Sequence, residues 1–120
     1  MAKVLGIGGI LFKSPDPKAL LSWYQRVLGM PEGGYVAFEP SSMPASASTV
    51  FGPFKADTEY FAPSTREFMF NLIVDDLDGA LTQLKAANAT LVGDVEDTDF
   101  GRFARFMDPD GNKVELWQPK

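Results

Sequence analysis

Two spacings of apolar residues alternate along this chain, and the switches between them mark its elements. Ile7-Gly8-Gly9-Ile10-Leu11-Phe12 has strand character, and Asp16 then stands as N-cap before Pro17 at the first helical position. Leu20, Trp23, Tyr24, Val27 and Leu28 follow at helical spacing, with Gly29 placed to end the helix. The plan then returns. Phe68 to Val74 is a mostly apolar strand, Asp75 or Asp76 can cap, and Leu77, Ala80, Leu81 and Leu84 form a second helical stripe with Asn88 near its end. Asp76 follows Asp16, and Leu81 follows Leu21, by 60 positions. The pattern predicts an α+β chain built as a duplicated β-α-β-β-β unit.

Shorter strands are expected after each helix, at Tyr35 to Glu39 and Thr49 to Phe54 in the first half. Thr90 to Val95, Phe100 to Met107 and Lys113 to Gln118 serve in the second. Residues 40–48 are small, polar and punctuated by proline, which suits a hairpin loop; a lid is the alternative reading. Lys55 to Thr65 connects the halves and is too short to separate independent domains.

The final hairpin carries the chemistry. Five residues from Asp108 to Asn112 turn the chain, which pairs Met107 with Lys113 and Arg105 with Glu115 across the strands. Alternation puts Val114 and Leu116 on one face, toward the helices, and Lys113, Glu115 and Trp117 on the other. Gly9 shares a face with Ile7 and Leu11, and Met69 shares one with Asn71 and Ile73. An inward-facing Glu115 needs a counter-charge, because burying an unpaired carboxylate is costly. Arg105 can supply it; the alternative is a wet pair at a rim, worth ~0 to 1 kcal/mol.

Composition narrows the options. The 120 residues contain no His and no Cys, so a metal site or acid/base centre must come from carboxylates, amides, Tyr, Lys or water. Eleven basic residues against 16 acidic ones give a net charge of −5 with no Lys/Arg cluster, which disfavours nucleic acid and anionic membrane surfaces as partners. No run of about 18 apolar residues is present to span a bilayer, and a cytoplasmic location is the default expectation. Gly6-x-Gly8-Gly9 is followed by strand rather than helix, which argues against a phosphate cradle and for close strand packing or room above Gly9. Asp75-Asp76 fits capping better than metal binding. Phe51, Phe54, Tyr60, Phe61 and Phe103 are the aromatic residues placed to face a ligand, although each also suits a core.

Several pieces together carry a resemblance. Gly6-Ile7-Gly8-Gly9-Ile10, Asp16 to Tyr24 with Leu28-Gly29, Val74-Asp75-Asp76-Leu77-Asp78, and Phe106 to Asn112 with Val114-Glu115-Leu116 resemble the vicinal oxygen chelate superfamily. That superfamily includes glyoxalases, extradiol dioxygenases and bleomycin-sequestering proteins. The resemblance implies one domain, 1–120, of two repeats of about 1–60 and 61–120, whose strands form a cupped mixed sheet. It also implies a divalent metal held by a His in the first strand of each half and a Glu in each last strand. Here those positions fall on Gly9, Met69, Glu115 and an apolar residue at Val50 or Phe51. Glycine offers no side-chain donor and a thioether suits hard metals poorly, which disfavours a metal and leaves Glu115 as its single retained ligand.

Three functions compete. The first is a metal-free binding protein that takes a small apolar or aromatic molecule in the cup of a homodimer, with Gly9, Leu11, Phe51, Met69, Asn71, Phe103, Arg105, Glu115 and Trp117 as pocket residues and no cofactor. The second is an enzyme, a glyoxalase-like lyase or isomerase or a dioxygenase, using Glu115 as base or ligand with a second carboxylate such as Glu39. The third is a dimeric scaffold.

Overall fold

A computed structural model describes residues 1–120. Helix α1 spans Pro17–Leu28 and α2 spans Leu77–Ala86. Five strands follow the first helix in the order β1 Phe70–Ile73, β2 Thr90–Leu91, β3 Glu96–Thr98, β4 Gly101–Met107 and β5 Lys113–Pro119. They form one curved mixed sheet in the spatial order β1-β5-β4-β2, with β3 paired to β4. β1 runs parallel to β5, and all other pairs are antiparallel. The fold is α+β, as the pattern predicts.

Local chemistry sets the boundaries. The Asp16 side chain accepts from the Ala19 amide at 3.1 Å, and Asp76 accepts from Gly79 at 3.0 Å, each satisfying a donor that a helix start leaves free. Gly29 ends α1 with φ 65°, a left-handed conformation that a Cβ would strain. One face of each long strand meets the helices: Phe70, Ala104, Phe106, Val114 and Leu116 pack with Leu20, Tyr24, Val27, Leu77, Ala80 and Leu84. Phe106, Val114, Leu116, Leu77 and Leu84 lose all contact with solvent, which is the main apolar contribution to stability.

The turn after β4 is locked from inside. Asp108 accepts from the Asp110 and Asn112 amides, from Asn112 Nδ2 and from the buried Tyr24 hydroxyl, at 2.9–3.0 Å. This tie between α1 and the turn is a contact that strand and helix periodicity does not reveal. It fixes α1 against the second-half sheet.

The first half differs from expectation. Residues 7–12, 35–39 and 49–54 join no ladder, although their composition favours strand, and residues 40–48 contain a short 3₁₀ turn at Pro40–Ser42. A strand needs an edge to pair with. Here α1 lies with α2 over the second-half sheet, and no first-half strand finds a partner within the chain. In the second half the predicted strand Thr90–Val95 shortens to two residues, with Gly93 at φ 70° turning the chain toward β3.

Candidate functional site

The register of the last hairpin puts the polar chemistry on the face opposite the helices. Arg105 pairs with Glu115, Met107 with Lys113 and Phe103 with Trp117, while Asn71 and Ile73 of β1 lie beside Glu115 and Trp117. Glu115 is the centre of this face. Its Oε1 accepts from Asn71 Nδ2 at 2.9 Å, and its Oε2 accepts from the Tyr60 hydroxyl at 2.7 Å and from Arg105 Nη1 at 3.3 Å. Its side chain is 13% exposed and that of Arg105 is 7% exposed. The pair is therefore not a rim contact.

Arg105 has further partners. Its Nη2 donates to Glu96 Oε1 at 2.8 Å and to the Asp94 carbonyl at 3.2 Å, so the guanidinium ties β4 to β5 and to the approach of β3. Burial by itself would lower the Arg105 pKa, but the surrounding Tyr60, Glu96 and Glu115 outweigh it and raise the value.

Tyr60 comes from the connector between the halves, which crosses this face. Burial, reinforced by the hydrogen bond to Glu115, holds its hydroxyl above the usual phenol range. Its ring stacks on Phe54 at 5.5 Å and 16°, with the Lys113 ammonium 4.6 Å from the ring centroid on a cation–π path. Lys113 Nζ also donates to the Tyr60 carbonyl. Burial, helped by the nearby Arg105, lowers the Lys113 pKa. Beside the cluster Phe103 and Trp117 stack with parallel rings 5.9 Å apart, and Trp117 Nε1 donates to the Phe100 carbonyl at 2.9 Å. Gly101 is required there, since a Cβ at its φ of 127° would collide with the Gln118 carbonyl.

Of the residues expected at a pocket, Asn71, Phe103, Arg105, Glu115 and Trp117 come together on this face. Met69 is half-buried just before β1. Gly9, Leu11 and Phe51 stand apart from the cluster: nothing lies within 4 Å of a Cβ built at Gly9, and Leu11 and Phe51 are 94% and 86% exposed. They belong to first-half segments that have no strand partner in the single chain. Tyr60 and Lys113 are the members that residue type did not single out as polar partners; the alternation of Lys113 with Glu115 was the available signal for the lysine. Glu39 is exposed at the start of the 3₁₀ turn, and its side chain makes no hydrogen bond. Two clefts lie outside the cluster, one of about 230 Å³ between Trp23, Asn88, Thr90 and Asp108, and an open one of about 600 Å³ between α1 and Glu32–Tyr35.

The metal that the resemblance implies does not fit these residues. No three His, Cys, Asp or Glu side chains converge anywhere in the chain. Around Glu115 the Asn71 amide and the Tyr60 phenol turn N–H and O–H toward the carboxylate, and the Arg105 guanidinium beside it would repel a cation.

The chain belongs to the glyoxalase-like domain family, whose profile matches residues 9–117. No protein of curated function matches it. Among solved structures it is similar to TnmS3, an antibiotic binding protein from Streptomyces sp. CB03234, with 25% identity over 88% of both chains and a TM-score of 0.51. It is also similar in fold to a glyoxylase/bleomycin resistance protein/dioxygenase domain from Frankia sp. EAN1pec, with 18% identity over 98% of this chain and 100% of that one and a TM-score of 0.61. Two other solved chains, a conserved domain protein and a glyoxalase/bleomycin resistance protein from Streptomyces sp. CB03234, are spanned over only 47% and 42% of their lengths. No helix is long and apolar enough to cross a membrane.

Proposed function

We propose that the protein binds a small apolar or aromatic molecule without a metal, on the helix-free face of the sheet, in a cup that a second copy of the chain completes. The observation that carries this reading is the state of Glu115. In a metal-dependent relative this carboxylate would be a ligand, whereas here Arg105, Asn71 and Tyr60 already satisfy it. Arg105 thus takes the place of the cation. Phe103, half-buried and stacked on the buried Trp117, provides apolar area next to the network, and an apolar wall with a few oriented polar groups is the usual make-up of a small-molecule site. TnmS3, with the same fold, is itself an antibiotic binding protein.

Surface area supports the second copy. The chain exposes 8744 Å². A folded monomer of this mass exposes about 6,400 Å². The excess, about 2,300 Å², is of the size an obligate interface buries. Much of it is apolar and lies in the unpaired segments, at Leu5, Leu11, Tyr35, Val50 and Phe51. A partner covering them would also bring Gly9, Leu11 and Phe51 into a shared cup.

Elemental analysis of protein purified without chelator should give far less than one metal per chain, and titration with flat aromatic probes should quench Trp117 fluorescence saturably. Stoichiometric zinc, nickel, manganese or iron would overturn the metal-free reading, and unchanged fluorescence across the probes would overturn the binding reading.

A further inference from the structure

Tyr60 lies in a setting that recognises every part of a phenol. Its ring is stacked on Phe54 and covered by the Lys113 ammonium, and its hydroxyl donates to a carboxylate that Arg105 and Asn71 orient. Yet Tyr60 enters from the connector, a segment outside both helices and the sheet, and it remains 38% exposed. Its principal ties to the sheet are the hydroxyl contact with Glu115 and the Lys113 bond to its carbonyl. A group held to the sheet by few bonds, against Asn71, Arg105, Lys113 and Glu115 of β1, β4 and β5, can be exchanged for another of the same chemistry. We infer that the ligand of the helix-free face presents a phenolic hydroxyl to Glu115, and that Tyr60 fills this position until the ligand displaces it.

The inference rests on the binding reading above and specifies its ligand class. Specificity follows from the acceptor: a hydroxyl replaces the Tyr60 donor to Glu115, while an aromatic hydrocarbon entering the same space leaves the carboxylate one donor short, with only Arg105 and Asn71.

The test is NMR titration of the full chain with 4-methylphenol and toluene. Tyr60→Gly opens the position and should bind 4-methylphenol about 10- to 100-fold more tightly than toluene, the factor expected for a hydrogen bond to a charged group. The wild type, which must first release Tyr60, should bind 4-methylphenol at least ~10-fold more weakly than Tyr60→Gly. Adding Glu115→Gln to Tyr60→Gly should shrink the preference over toluene to a few-fold, since an amide oxygen accepts less strongly. Should Tyr60→Gly fold poorly, Tyr60→Phe keeps the ring and drops the hydroxyl, and its affinity for 4-methylphenol should exceed that of the wild type a few-fold. Equal binding of toluene and 4-methylphenol at Phe103 and Trp117 would overturn the phenol assignment and leave the binding reading standing. Equal affinity of the wild type and both Tyr60 variants for 4-methylphenol would show that Tyr60 is no occupant. Absence of any shift at Asn71, Phe103 and Trp117 with either probe would remove both readings.

Discussion

The Arg105 guanidinium reaches Glu115, Glu96 and the Asp94 carbonyl, and Glu115 is the deeper of its two carboxylate partners. Removing the cation from a buried pair costs more than removing its net contribution, because the remaining charge stays desolvated. Arg105→Ala should therefore cost about 2–4 kcal/mol, with some relief because Tyr60 and Asn71 still donate to Glu115. Glu115→Gln should cost about 1 kcal/mol, since the amide oxygen still accepts. Urea unfolding of the two variants makes the comparison; an Arg105→Ala midpoint equal to wild type would mean that the pair contributes nothing. Tyr24 gives a second prediction. Burial first, then the neighbouring Asp108, raises its pKa far above the ordinary 10.0. Above pH 10 the unfolded chain loses this proton while the folded chain keeps it, so folding stability should fall as pH rises from 10. The lowered Lys113 pKa acts in the opposite direction at pH values below its ordinary 10.5, so the loss should be clearest beyond that point. Tyr24→Phe should reduce the alkaline slope in denaturant midpoints taken from pH 8 to 11.5, leaving the smaller part that the raised pKa of Tyr60 contributes in the same direction, at a cost near neutrality of about 1 kcal/mol for the lost hydrogen bond.

At the scale of elements, the turn between β4 and β5 decides which groups face each other. Asp108 collects four donors there, one of them from α1, and the turn aligns Arg105 with Glu115 two positions before and after the Met107–Lys113 pair. A turn residue with this many contacts does more than close a loop. Asp108→Ala should lower stability by about 2–4 kcal/mol, because it leaves the Tyr24 hydroxyl and Asn112 Nδ2 buried without an acceptor. The helix caps set a scale for comparison: Asp16→Ala and Asp76→Ala should each cost about 1 kcal/mol. If Asp108→Ala proved no worse than either cap variant, the turn would not be the anchor of the hairpin.

Across the whole molecule, the two halves share a sequence plan and differ in what they build. The second half forms all of the sheet, and the first contributes α1 to its cover. The surplus exposed area and the unpaired apolar segments lead to the expectation of a dimer. Sedimentation at micromolar concentration should give a species near twice 13.1 kDa. Leu11→Asp and Phe51→Asp, at exposed positions of the single chain, should leave its own core intact and shift the equilibrium toward monomer. A 13 kDa species for the wild type would remove the shared-cup reading.

Local signals made α1, α2 and the last hairpin legible in the sequence. Caps at Asp16 and Asp76, the stop at Gly29, and the period-2 alternation of Val114 and Leu116 all act within a few residues, so the chain itself specifies them. Turn length then fixed the Arg105–Glu115 register, because antiparallel strands joined by a set number of residues have one pairing. Tertiary structure decided the rest. The Tyr24–Asp108 bond spans 84 positions and the Tyr60–Glu115 bond 55, and no periodicity encodes which distant side chains meet. The first-half segments show the same limit from the other side: their composition favours strands, but a strand exists only where another edge accepts its hydrogen bonds, and in the single chain these segments pair with none, although β1 has no neighbour on its outer side.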